Sequence, residues 1–148
     1  MHASKVFAAA LLLVGATALT SCSSSSSNVA SLGATLNSAS EVPPNSSTGT
    51  GTADVKLDKA TKTVSWTVSY SGLTGDPGAA HFHGPAAPGA NGPPVIVIAT
   101  GSVPNPAVGS KVLTDDQIAD LMAGKWYVNI HTKANGGGEI RGQVVPKM

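Results

Sequence analysis

The sequence predicts an all-β domain, built as an antiparallel sandwich or flattened barrel of about seven strands with one short helix. Three observations predict it. Apolar and polar residues alternate with period two through most of the chain from Val29 onward, as half-buried strands require. Turn formers are dense, with 17 glycines and 10 prolines among 148 residues, which favours many short elements over long helices. Only one stretch carries the punctuation of a helix.

The strands follow in order. From Val29 to Leu36, Leu32, Ala34 and Leu36 alternate with Ser31, Gly33 and Thr35, and Glu41-Val-Pro-Pro-Asn45 ends the run. Thr48 to Leu57 alternates through Ala53, Val55 and Leu57. After the turn-like Asp58-Lys-Ala-Thr61, Val64, Trp66, Val68 and Tyr70 do the same, so the two runs read as a hairpin with one buried and one wet face. Gly72 to Gly78 reads as a loop and Ala79 to His83 as a short strand. Pro85 to Pro94 holds too much proline and glycine for a central strand. Val95 to Ala99 is a continuous apolar run and reads as a buried strand, and Gly101 to Gly109 reads as a further loop.

The helix is expected over Asp115 to Ala123. Thr114 with Gln117 fits a capping box, Leu113 with Ile118 fits the hydrophobic staple, and Gly124 stands where a left-handed cap is wanted. Ile118, Leu121 and Met122 form its apolar stripe. Trp126, Val128 and Ile130 then share one face of a strand whose other face carries Tyr127, Asn129 and His131. Beyond the turn Asn135-Gly-Gly-Gly138, Ile140, Gly142 and Val144 lie opposite Glu139, Arg141 and Gln143. This count and spacing fit an immunoglobulin-like sandwich.

The N-terminus reads as an address. Lys5 precedes the apolar run Val6 to Leu19, which is too short to span a bilayer and fits a secretory signal over residues 1–21. Leu19-Thr20-Ser21-Cys22 resembles a bacterial lipobox, so Cys22, the sole cysteine, is expected to carry lipid. Ser23 to Ser27 extends residues 22–28 as a polar tether ahead of a domain at 29–148. The chain is thus expected to be extracytoplasmic and anchored to the cell envelope by its N-terminal lipid. Ser23 after the cysteine suits the outer membrane of a two-membrane host. Without residues 1–21, 8 basic and 8 acidic side chains remain, and no basic cluster offers a footprint for nucleic acid.

All three histidines beyond the signal lie on polar strand faces. His81 and His83 are two residues apart, so they project together while Phe82 points the other way. His131 completes a three-nitrogen set if its strand lies beside theirs. Imidazole suits copper, zinc, nickel and iron, and copper binds tightest among the divalent ions. Tyr127 and Asn129, on the face of His131, are candidate supporting groups. The bland alternative is that the histidines bond backbone groups and hold the loop after Gly84. Nothing points to catalysis: Ser69 and Ser71 have no nucleophile-elbow context, Asp115 and Asp116 suit the helix dipole, Trp66, Trp126 and Met122 read as packing, and Glu139 with Arg141 reads as an exposed ion pair.

The blocks HFHGPAAPGANGPPVIV at 81–97 and GKWYVNIHTKANGGGEIRGQV at 124–144 resemble the two signature blocks of the CHRD domain, first described in chordin and found in bacterial exported proteins. The resemblance covers most of residues 29–146. It implies a β-sandwich remotely similar to copper-zinc superoxide dismutase and a largely undefined activity; in chordin the domain belongs to an extracellular binder of growth factors. Dismutases of that kind bind copper partly through a His-x-His strand pair and a later strand histidine, and His81, His83 and His131 occupy the matching places. There is no further histidine to bridge to zinc, Gly84 to Pro94 stands where the zinc loop would be, and one cysteine forms no intramolecular disulfide. Arg141 lies near the place of the guiding arginine, but the register does not fix that correspondence.

The leading expectation is therefore a non-enzymatic binding or envelope module with an envelope or extracellular protein partner. The alternative is a protein holding one copper or zinc ion on His81, His83 and His131 for trafficking, storage or redox. A dismutase-like enzyme ranks last.

Overall fold

A computed structural model describes residues 28–148. The signal, Cys22 and the serine run Ser23 to Ser27 lie outside the described residues. Eight strands form one antiparallel sheet: β1 (Val29–Asn37), β2 (Thr50–Asp58), β3 (Thr63–Ser71), β4 (Pro77–His83), β5 (Pro94–Thr100), β6 (Ala107–Val112), β7 (Trp126–Thr132) and β8 (Ile140–Pro146). Their spatial order is β5-β4-β7-β8-β1-β2-β3-β6, and the sheet curls into a nearly closed barrel with β5 and β6 at its two edges. One helix, α1 (Asp115–Met122), crosses between β6 and β7.

The inward positions of the alternating runs fill the barrel. Leu32, Leu36, Val55, Leu57, Val64, Val68, Phe82, Val128, Ile130, Ile140 and Val144 are wholly buried. Trp66 and Trp126 join them as packing residues, and Phe82 meets the Trp66 ring edge-on at a centroid distance of 5.3 Å. The helix begins as its sequence specifies. Thr114 accepts from the Gln117 backbone, the Gln117 side chain accepts from the Thr114 backbone, and Gly124 closes the end at φ 70°. Leu121 is buried, while Ile118 and Met122 pack against the core.

Val95 to Ala99, expected to be a buried strand, is instead part of the edge strand β5, with Val97 58% exposed. Two further expectations are corrected. Gly101 to Gly109 is not all loop, because Ala107 to Val112 forms an eighth strand paired to β3 with Trp66 opposite Gly109. The glycine that reads as a breaker is there for packing. A Cβ at Gly109 would stand 2.8 Å from Cε2 of Trp66, whose ring lies across that position. Second, Glu139 and Arg141 form no exposed ion pair. They are 0% and 1% exposed, and each has its own partners.

Glu139 ties three loops together at one end of the barrel. Its carboxylate accepts from Ser47 Oγ at 2.6 Å, from Thr74 N and Oγ1 at 2.7 Å each, and from Thr132 Oγ1 at 2.5 Å. Burial pushes its pKa up, but the bonds from Ser47, Thr132 and Thr74 outweigh burial and hold it at about 2.

Candidate metal centre

The register of β4 and β7 builds the site. His83 lies opposite Tyr127, His81 opposite Asn129, and Ala79 opposite His131. Residues directly and diagonally opposed on one sheet face come within reach of each other's side chains. The three imidazoles accordingly gather on the outer face, while Phe82 fills the core beneath them. Ring centroids lie 5.1 Å apart for His81 and His131, 5.5 Å for His81 and His83, and 6.3 Å for His83 and His131.

Backbone carbonyls settle two of the three tautomers, because a carbonyl only accepts. His83 Nδ1 is 2.9 Å from Gly92 O and His131 Nδ1 is 3.0 Å from Gly136 O, so both rings carry a proton on Nδ1, and in the neutral tautomer the lone pair is on Nε2. His131 Nε2 stands 3.1 Å from His81 Nδ1, which must then donate to it. His83 Nε2 is buried without any hydrogen-bond partner. An enclosed lone pair without a donor is costly, by about 1–3 kcal/mol, unless something else takes it.

One nitrogen from each ring can be chosen so that all three lie within 4.8 Å of one another. Tetrahedral ligands with bonds of about 2.0 Å stand about 3.3 Å apart. The His81–His131 pair already has that spacing. Burial lowers the pKa of His81, aided by the neighbouring His131 and His83. Burial likewise lowers that of His131, against the Gly136 bond and with the help of His83. Both rings are therefore held neutral, the form that binds metal.

The surroundings stiffen His83 most. Its ring stacks on Tyr127 at 5.0 Å with only 8° between planes, and Arg141 Cζ sits 3.5 Å from the centroid of the Tyr127 ring. Gly84 to Pro93 folds over this column. Tyr127 Oη bonds the Gly92 backbone, Arg141 donates to Asn91 Oδ1 at 3.1 Å and Ala90 O at 2.7 Å, and Gln143 Nε2 donates to Ala86 O at 2.9 Å. Tyr127 thus supports a histidine directly. Asn129 stands opposite His81, buried, with its Oδ1 unpartnered.

Sequence reasoning brings out the three histidines and Tyr127 but misses the two carbonyls and Arg141. Backbone acceptors carry no side-chain signature. The signals for Arg141 are its place on the polar face of β8, in register with Asn129, and its nearness to the place of the guiding arginine in the dismutase resemblance. The model of the CHRD domain family matches residues 32–144. No curated protein and no solved structure matches the chain, so the dismutase resemblance rests on the residues alone.

Proposed function

We propose that this chain, which belongs to the CHRD-domain family, is a non-enzymatic module that holds one copper or zinc ion on His81, His83 and His131. The observation that carries the reading is the buried, unpartnered Nε2 of His83 within a cluster whose other two rings offer nitrogens inside 4.8 Å. A structural role for the histidines accounts for the Gly92 and Gly136 bonds but leaves that lone pair unexplained.

The chain's own residues would do three things for the ion. Gly92 and Gly136 orient two rings and fix their tautomers, which is the part outer hydrogen bonds play around metal-binding histidines. His81 moves its proton from Nδ1 to Nε2 to free its donor atom. Tyr127 and Arg141 hold the His83 ring in place under the Gly84–Pro93 loop. Three neutral nitrogens with no thiolate or carboxylate favour Cu(II) over Zn(II), in the Irving–Williams order. A bound copper ion would supply a one-electron couple, and zinc would supply a Lewis acid.

The module is further proposed to work outside the cytoplasm, anchored by lipid on Cys22, with an envelope or extracellular partner. Titrating purified protein with Cu(II) and with Zn(II) tests the site. One equivalent should bind and be lost in His83→Ala, whereas unchanged stoichiometry in that variant removes the assignment. Cys22→Ser should release the protein from membranes, and continued detergent-dependent fractionation would count against the anchor.

A further inference from the structure

A cavity lined by Arg141 and by no histidine opens beside the loop that follows β1. It has a volume of about 360 Å³, and its floor and walls include Glu41, Arg141, Gln143, Val42, Pro44 and Pro88. Glu41 is 4% exposed and Arg141 1% exposed. Opposite charges buried this deeply are normally paired directly. Here they are not: the ion pairs among the described residues are Lys62–Asp115, Lys125–Asp120 and Lys147–Asp54. The Arg141 bonds go to Asn91 and Ala90, and Glu41 Oε1 has no partner. Burial pushes the Glu41 carboxyl up to about 7, against the pull of Arg141 and a backbone hydrogen bond from Val42. The cavity is thus lined by a carboxyl and a guanidinium that do not pair with each other, set between apolar walls.

We infer that this cavity is a binding site for a small zwitterion of amino-acid or dipeptide size, with its ammonium on Glu41, its carboxylate on Arg141, and an uncharged side chain against Val42, Pro44 and Pro88. A cation alone would leave Arg141 unmatched and would meet its repulsion. An anion alone would meet Glu41 in the same way. A molecule with both charges answers each group, and guanidinium–carboxylate recognition is among the stronger charge-assisted contacts. The volume is at the small end for ligand pockets, which sets the size class. This site shares no ligand atom with the histidine cluster, and its occupancy does not depend on a metal.

The test is a titration of the full chain with L-alanine and L-alanyl-L-alanine, followed by amide chemical shifts, with ethylamine and propionate as single-charge controls. A zwitterion should shift the amides of residues 39–44 and 88–89 saturably at millimolar concentration, and each single-charge control should bind at least tenfold more weakly, a difference of about 1.4 kcal/mol. Glu41→Gln should weaken binding by a similar factor. Ala39→Trp, an exposed substitution at the cavity wall, should abolish binding with the melting temperature unchanged, so that loss of fold is not mistaken for loss of site. Equal binding of ethylamine or propionate, or no saturable shift with either zwitterion, overturns the inference and leaves a cavity filled by water.

Discussion

Replacing Glu139 probes the clasp at the end of the barrel where β7 finishes, one residue past His131. The carboxylate is fully buried and accepts four hydrogen bonds, one from Ser47, two from Thr74 and one from Thr132. Thr132 follows His131 directly, and the turn after it supplies the Gly136 carbonyl that orients that ring. Glu139→Ala removes the common acceptor, leaves the buried Thr132 hydroxyl without its acceptor and opens a cavity at a fully buried position, and should destabilise the domain by about 3–5 kcal/mol. For a domain of this size that lowers the melting temperature by roughly 12–20 °C. Glu139→Gln keeps the volume but loses the charge, and should cost about 1–3 kcal/mol. The folded carboxyl is held at about 2, below its ordinary 4.5. Its contribution is therefore fully present above pH 4.5 and is lost as pH falls through about 2. Urea unfolding of wild type and Glu139→Gln between pH 7 and pH 2 should show a gap that is constant down to pH 4.5 and then narrows. A variant as stable as wild type at pH 7, or a gap that does not change with acid, would refute the clasp.

Gly109→Val should cost about 2–3 kcal/mol, because its side chain would occupy the space of the Trp66 ring; a near-neutral result in thermal melts would show that the edge strand yields. Glu41, with its folded pKa of about 7 above the ordinary 4.5, destabilises the fold progressively as pH rises from 4.5 through 7. Glu41→Gln should accordingly be more stable than wild type at pH 8 and no more stable at pH 4; the full shift corresponds to about 3 kcal/mol, and solvent at the cavity mouth reduces the expected gain to about 1–2 kcal/mol. A destabilised variant at pH 8 would mean that the carboxylate has a partner it needs. Because His81 and His131 are held below the ordinary 6.5, their protons should compete with Cu(II) only below that pH. Competition from these two rings setting in at pH 7.5 would contradict the neutral cluster.

The architecture was legible wherever one strand face is buried and the other wet, since period-two alternation then marks each residue's side. β1, β2, β3 and β7 were read in this way to within two residues at each end. The helix was legible from its caps. β6 escaped because its inward position opposite Trp66 is a glycine, chosen to accommodate a ring from the neighbouring strand, and nothing local reveals that. The His-x-His pair and His131 were legible as a shared polar face, yet their convergence depends on the β4–β7 register, which is a long-range property. Arg141 was misread for the complementary reason. On a barrel the outer face is normally wet, and an arginine beside a glutamate there reads as an exposed pair. Here the Gly84–Pro93 loop folds back across that face, so the guanidinium is enclosed between Tyr127 and the loop carbonyl of Ala90.

X-ray absorption at the copper edge, on full-length protein given one equivalent of Cu(II), tests the central claim most directly. Three imidazole nitrogens at about 2.0 Å are predicted, falling to two in His83→Ala. A spectrum without the outer-shell scattering of imidazole, or one unchanged by removing His83, would contradict the three-histidine site.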